Sequence, residues 1–260
     1  APLSGPQEVY GREVRIGAEI AVDQINAAGG VDGRMLELHV RDDKANPNDA
    51  VFATRELAGS GVNLFTGGIY SPLALAMTGI MPELDGVFLS CGSLTDALTH
   101  EEYNRNFFRL NDNNVIRGRT QARLVKERFP EIVEWQAFMP DTETGRAAWA
   151  AFTSGMRTSM PDATLHEPVL FKWGSTDFKN QIVELMSRPL DGLFLAGLSG
   201  ADAITLYQQA QPFGLADRVK VYMDYGAELA FGQALGKRMV RNFWTVAHWY
   251  PGAYEDNAQS

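Results

Sequence analysis

The stretch APLSGPQEVYGREVRIGAEIAVDQINAAGGVDGRMLELHVRDD, residues 1–43, sets out a loop, an amphipathic helix, a glycine stop and a strand in that order. Val14, Ala18, Ala21, Val22 and Ile25 recur every three or four positions, which lays one apolar stripe along a helix. Gly29 and Gly30 supply its stop. Leu36, Leu38 and Val40 then alternate with Glu37, His39 and Arg41, the period-two pattern of a strand with one face covered.

The same rhythm continues outward from this stretch. Asn46 and Pro47 start a second helix with apolar Ala50, Val51, Leu57 and Ala58, and Gly59 and Gly61 stop it. Strands are expected at Val62–Thr66, Val87–Ser90 and Phe107–Leu110, with a helix after Pro72. A second unit then repeats the pattern. Its helices carry stripes at Ala122, Val125 and Phe129, at Trp149, Phe152 and Met156, at Phe178, Ile182 and Leu185, and at Ile204, Tyr207 and Ala210. Its strands are expected at Trp135–Met139, Val169–Phe171, Leu193–Ala196, Val219–Met223 and Phe243–Trp249. Strands alternating with helices of this length imply right-handed crossovers and parallel sheets covered on both faces, in two units rather than one long sheet.

The wording of residues 1–43 resembles the type I periplasmic solute-binding proteins, in particular the branched-chain amino-acid (Leu/Ile/Val) binding proteins of ABC transporters. The resemblance implies an α/β fold of two Rossmann-like lobes, each with a parallel sheet, joined by hinge strands. Lobe 1 would comprise residues 1–114 and 247–260, and lobe 2 residues 115–246. Members of that family begin with a short strand before the APLSGP-like loop and continue past the segment that ends here at Ser260. The sequence therefore reads as lacking the first strand and the C-terminal segment.

Composition fits a binding protein and excludes some alternatives. With 260 residues and 45% hydrophobic content the chain can bury two modest cores. A formal charge of -9 argues against a nucleic-acid surface, which needs clustered Lys and Arg. Cys91 is the sole cysteine, so no intramolecular disulfide forms. No apolar run approaches the roughly 20 residues that span a bilayer, and no leader-like segment precedes Ala1, which is compatible with an export signal already removed.

Several loops carry candidate site residues. In TGGIYSPLALAMTGI, residues 66–80, a strand runs into two glycines and then into Ser71–Pro72, a strong helix start. Free N–H groups there, with the positive end of the helix dipole, suit a carboxylate. Ser71 either only caps its helix or, as the resemblance implies, contacts the ligand, with Tyr70 beside it. SCGSLTDALT, residues 90–99, follows another strand end, where ligands of open α/β sheets bind. The resemblance makes Gly92, Ser93 and Thr95 a zone that holds the ligand's carboxylate, and places Tyr10 at the mouth of the cleft. In the second unit it points to Thr142, Thr144 and Leu198, and to Asp224 or Tyr225. If Asp224 faces the ligand, an amino acid is expected, because a buried ammonium group needs a counter-charge. If Tyr225 does, an aromatic or other organic acid is expected.

Enzyme signatures are lacking. There is no GxSxG, HExxH or GxGxxG, Cys91 has no CxxC partner, and GQALGKR, residues 232–238, is one residue too short between its glycines for a phosphate loop. His39, His100, His166 and His248 lack ligand spacing, so neither a metal nor a cofactor is expected. The expectation is an exported, periplasmic or lipid-anchored protein that binds a small carboxylate or amino acid by lobe closure and serves an ABC permease. The ligand-sensing domain of a membrane receptor is the alternative, ahead of an α/β enzyme.

Overall fold

The computed structural model describes residues 1–247 except 6, 199, 227–231, 233 and 234. The chain divides into two compact units, Ala1–Asn113 and Asn114–Ser260. The expected return of residues 247–260 to the first lobe lies outside the described residues beyond Ala247.

The first unit holds three helices, α1 (Glu8–Ala27), α2 (Pro47–Gly59) and α3 (Ser71–Ile80), and three strands, β1 (Leu64–Gly67), β2 (Val87–Ser90) and β3 (Phe107–Arg109). Local chemistry sets the start of α2: the Asn46 side chain accepts from the N–H groups of Asn48 and Asp49 at 2.8 and 3.3 Å, and Pro47 takes the first helical position. The strands form a parallel sheet in the order β1-β2-β3. Its core joins Phe65, Phe88 and Phe107 to Leu73, Ala74 and Met77 of α3. Phe88 is fully buried and meets Phe107 edge to face at 5.6 Å. Burial of a side chain of this size stabilises by about 1.5–3 kcal/mol.

Two expectations for this unit are corrected. Helix α1 begins at Glu8, so Tyr10 lies in its first turn and not in a loop. The alternation over residues 36–41 is kept, with Leu36, Leu38 and Val40 half-buried and Glu37, His39 and Arg41 exposed, but the run makes no strand ladder. A strand needs a neighbouring backbone. Between this run and β1 lies instead a cavity of about 140 Å³ lined by Val14, Ala18, Leu38, Val40, Leu57 and Phe65. At its end the Ala1 nitrogen donates to the Arg41 carbonyl at 3.3 Å, and the Asp43 N–H donates to the Ala1 carbonyl at 3.2 Å.

The second unit carries α4 (Asn114–Arg128), α5 (Glu143–Ser159), α6 (Lys179–Met186), α7 (Gly200–Ala210) and α8 (Leu215–Arg218). Its strands are β4 (Glu134–Pro140), β5 (Thr164–Leu165), β6 (Val169–Phe171), β7 (Gly192–Leu195), β8 (Val221–Asp224) and β9 (Phe243–Thr245). All pairings are parallel, in the order β5-β4-β7-β8-β9, with β6 continuing beside β4. Helices α4 and α5 approach closely at two glycines. A Cβ on Gly118 would sit 2.4 Å from the Ala151 carbonyl carbon, and one on Gly155 would sit 2.8 Å from the Gly118 oxygen. Trp135, Phe152 and Phe194 are fully buried on that side of the sheet, with Phe152 stacked on Phe194 at 4.2 Å. On the other side Phe138, Phe171 and Phe178 form a second aromatic cluster.

Candidate ligand-binding site

Register decides where the site can be. Gly67 pairs with Ser90 and Ser90 with Arg109, so β1, β2 and β3 end in one row at their carboxyl edge. The loops that carry Ser71, residues 91–95 and Asn111 all leave from that row. Gly67 and Gly68 take φ of 111° and 52°, a region that side chains disfavour, and this lets the chain turn sharply into α3.

Ser71 opens α3 but does not cap it, since the helix start has no side-chain hydrogen bond. Its Oγ instead accepts the Thr95 N–H at 3.3 Å and the Ser93 hydroxyl at 3.4 Å. The structure thus brings Ser71, Ser93 and Thr95 together, and the reading of Ser71 as a mere cap is set aside. Gly92 lets the loop close in, because a Cβ there would stand 2.9 Å from the Ile69 side chain. Within α3 the Ala74 N–H is bonded back to the Tyr70 carbonyl at 3.0 Å. The N–H groups of Ser71 and Leu73 precede it in the first turn, at the positive end of the helix dipole.

Two residues missed in the sequence hold the loop in place. Arg109 Nη1 donates to the Ser93 carbonyl at 3.0 Å and Nη2 to the Thr95 carbonyl at 2.5 Å. Asn111 Nδ2 donates to the same Ser93 carbonyl at 2.9 Å. Burial pushes the Arg109 guanidinium below its ordinary value, while Asp96 and Asp112 pull it back up. It stays charged at neutral pH. The signal available in the sequence was FFRLN, residues 107–111, where a cation directly follows an apolar strand pair. Ser90 Oγ, Asp96 Oδ1, Arg109 Nε and Asn111 Oδ1 are buried there without a hydrogen-bond partner among the described residues. Four such atoms in one loop cluster mark an edge built for more polar contact than the unit itself supplies.

Tyr70 gives its hydroxyl hydrogen to Gln7 Oε1 at 2.6 Å, which ties the loop before α3 to the residue that precedes α1. Tyr10 is half-buried one turn further on. Asp42 fastens the opening loop: its carboxylate accepts the Leu3 N–H at 2.8 Å, the Ser4 hydroxyl at 2.6 Å and the Lys44 N–H at 2.9 Å.

The second unit has its own strand-end row, where Phe138, Leu195, Asp224 and Thr245 are in register. Thr142 caps α5, its Oγ1 accepting the Gly145 N–H at 3.3 Å, and Thr144 is exposed in the first turn. Gly197, at φ 62°, packs against Gly145 and Thr144, which places the half-buried Leu198 beside the start of α5. Asp224 and Tyr225 are 6% and 5% exposed. The Tyr225 hydroxyl donates to Asn114 Oδ1 at 2.5 Å and its carbonyl accepts from Arg117 Nη1 at 2.6 Å, with the guanidinium 5.1 Å from the ring centre. Gln121 Nε2 donates to the Asp224 carbonyl at 2.6 Å, and Asp224 Oδ2 accepts the Gly226 N–H at 2.9 Å. Asn114, Arg117 and Gln121 share one face of α4 at helical spacing, a polar stripe that the reading of apolar stripes passed over.

Among the described residues no three His, Cys, Asp or Glu side chains are grouped to hold a metal ion, and no helix is long and apolar enough to cross a membrane. His166 lies 2.6 Å from Glu134, His39 3.4 Å from Glu37, and His100 Nδ1 2.9 Å from the Asp96 carbonyl, each in a local pair. His248 is outside the described residues.

Parallel sheets with polar loops at their carboxyl edges define a class of α/β proteins that bind small molecules at strand ends. The sequence pattern of the family described as "Periplasmic binding protein" matches residues 1–260, and the chain belongs to that family, whose members and fold are those of solute-binding proteins. It is 36% identical over 89 residues to the Leu/Ile/Val-binding protein BraC3 of Rhizobium johnstonii, a match over 34% of this chain and 24% of that protein. The branched-chain amino acid transporter substrate-binding protein LivJ of Streptococcus pneumoniae, solved with isoleucine, superimposes with a TM-score of 0.79 at 21% identity, covering 94% of this chain and 68% of that one. A solute-binding protein of an ABC transporter from R. palustris, solved with 4-hydroxybenzoate, does so with a TM-score of 0.75 at 20% identity, covering 86% and 59%. At these identities the two superpositions establish the fold. Curated Leu/Ile/Val-binding relatives that align over 80% of this chain are matched over 55% of their own length, so the chain spans about half of them.

Proposed function

We propose that this chain holds a small carboxylate outside the cytoplasm for delivery to the permease of an ABC importer, gripping it by the first unit and selecting it by the second. The observation that carries the reading is the state of Ser71. Its oxygen is spent not on its own helix but on Ser93 and Thr95, at a helix start and a strand-end row suited to an anion. Isoleucine and 4-hydroxybenzoate, found with the two structural relatives, share only a carboxylate as a charged group of that sign. Ser71, Gly92, Ser93 and Thr95, with Tyr10 and Tyr70 near them, are assigned to that group. Thr142, Thr144, Leu198, Asp224 and Tyr225 are assigned to the remainder of the ligand.

The mechanism is non-covalent. Periplasmic binding proteins are a standing example of hinge closure, so the motion is carried over from the family rather than drawn from this chain's geometry. Closure is driven by whatever affinity the closed form has in excess of the open one. No cofactor, metal or nucleic acid enters the proposal, and residues 247–260 are assigned to the first lobe in it. A thermal-shift screen of L-leucine, L-isoleucine, benzoate and 4-hydroxybenzoate on the full protein is the direct test. A ligand present at 100 times its Kd adds about 2.7 kcal/mol to the native state and raises its melting point. Nuclear magnetic resonance of the released ligand should show it unchanged; a converted product, or no shift with any of the four, would sink the proposal.

A further inference from the structure

The loop that joins β2 to the turn at Asp96–Thr99 displays an uneven set of backbone contacts. Its carbonyls at Ser93 and Thr95 are both taken by Arg109, at 3.0 and 2.5 Å. The N–H groups of Leu94 and Asp96, which follow those carbonyls, have no acceptor among the described residues. In a planar trans peptide the N–H points opposite to the preceding C=O, and no cis peptide bond occurs among the described residues. Fixing two carbonyls on one guanidinium therefore aims two N–H donors away from it, in fixed directions. The intervening Thr95 N–H is already on Ser71 Oγ, so the loop's donors are oriented from the β3 end and registered on the α3 end.

We infer that Arg109 is a positioning residue: it sets the Leu94 and Asp96 N–H groups as donors for the ligand's carboxylate, and it does so through the loop, without touching the ligand. The inference rests on the function proposed above and adds to it the group that shapes the anion site. Three features support the assignment. Arg109 ends β3 in register with Ser90 and Gly67, so its backbone position is fixed by the sheet. Its guanidinium lies 5.9 Å from the Phe107 ring centre and is half-buried, which limits its freedom further. A planar fork can serve two carbonyls at once, whereas the point charge of a lysine cannot reproduce that geometry. Asn111 shares the Ser93 carbonyl at 2.9 Å but makes no bond to Thr95, so it cannot replace the fork.

The test compares R109M and R109K with the unchanged full protein, by calorimetric titration of L-leucine, benzoate and benzamide together with the ligand-free melting point. Charge-assisted hydrogen bonds are roughly twice as strong as neutral ones, so misaimed donors should penalise an acid more than its amide. For R109M, binding of whichever acid the parent takes should weaken at least tenfold, with the benzoate-to-benzamide preference falling in step if benzoate is that acid. R109K should fold, keep the charge and show an intermediate loss. Affinities within twofold of the parent in both variants would overturn the inference, as would equal losses for acid and amide that merely track a lowered melting point. If the parent itself binds neither acid, the function proposed above fails first and this role with it.

Discussion

The carboxyl edges of the two sheets are built alike and finished differently. In the first unit the strand-end row of Gly67, Ser90 and Arg109 leads into loops whose hydroxyls bond one another and whose Leu94 and Asp96 N–H groups have no acceptor among the described residues. In the second the row leads into Asp224 and Tyr225, whose carbonyls are taken by Gln121 and Arg117 and whose side chains are bonded to Gly226 and Asn114. One edge keeps polar capacity in reserve. The other uses most of it, Gln121 Oε1 excepted, to tie a strand end to a helix. Unsatisfied donors are costly when buried and valuable where an anion comes to meet them, so under the proposed function the first edge is the grip and the second the frame that carries the selecting residues.

The contrast can be broken most forcefully in the aromatic layer that supports the second edge. Phe152→Ala removes a fully buried ring stacked at 4.2 Å on Phe194 and should cost about 3–5 kcal/mol in urea unfolding of the full protein. Carboxylate affinity measured well below the new melting point should stay close to that of the parent; a collapse of both would mean the frame and the grip are not separable. Arg117→Met leaves the Tyr225 carbonyl short of a charged donor, and a loss of about 1–3 kcal/mol of stability is expected.

Ser71→Ala sharpens the comparison from the other side. It should weaken carboxylate binding by about 1–3 kcal/mol in calorimetry. The melting point of the free protein should fall modestly, because the Thr95 N–H and the Ser93 hydroxyl lose the oxygen they share, while no helix cap is lost. A lowered melting point with unchanged affinity would confine Ser71 to holding the loop at Ser93 and Thr95.

The smallest effect concerns pH. Partial burial works to raise the Asp42 carboxyl, but the Ser4 hydroxyl and the N–H groups of Leu3 and Lys44 outweigh it and hold the group below its ordinary value. A carboxyl depressed in the folded state adds stability that is complete above its unfolded pKa and is lost as the pH falls through the folded one. Acid titration of stability should therefore show a small loss that Asp42→Asn abolishes. Identical acid limbs for the two proteins would remove Asp42 from the account of the opening loop.

Much of the fold was legible because it is written in short-range chemistry. Asn46 and Pro47 announce α2, Ser71 and Pro72 announce α3, and the short apolar run Val87–Ser90, bounded by turn signals, forms the expected strand with Phe88 and Ser90 buried. The run over residues 36–41 misled for a related reason. Alternation reports that one face is covered, and here the cover is half-buried packing beside a cavity rather than a ladder of hydrogen bonds. Within the site, hydroxyls and glycines at strand ends drew attention to Ser71, Gly92, Ser93 and Thr95. Arg109 and Arg117 were passed over because nothing local distinguishes a cation that anchors a loop from one that faces water.

By itself, then, the sequence determined most of the helices and strands, though not the state of residues 36–41, that the sheets are parallel, and which loops carry small polar residues. Only the tertiary structure decided that Gly67, Ser90 and Arg109 end in one row, that Ser71 meets Ser93 and Thr95, and that two guanidiniums fasten two different strand ends. The reason is one of range. Propensity, capping and periodicity act over a few residues, whereas register brings Ser71 to Thr95 and Arg117 to Tyr225 across chain lengths that no local pattern spans.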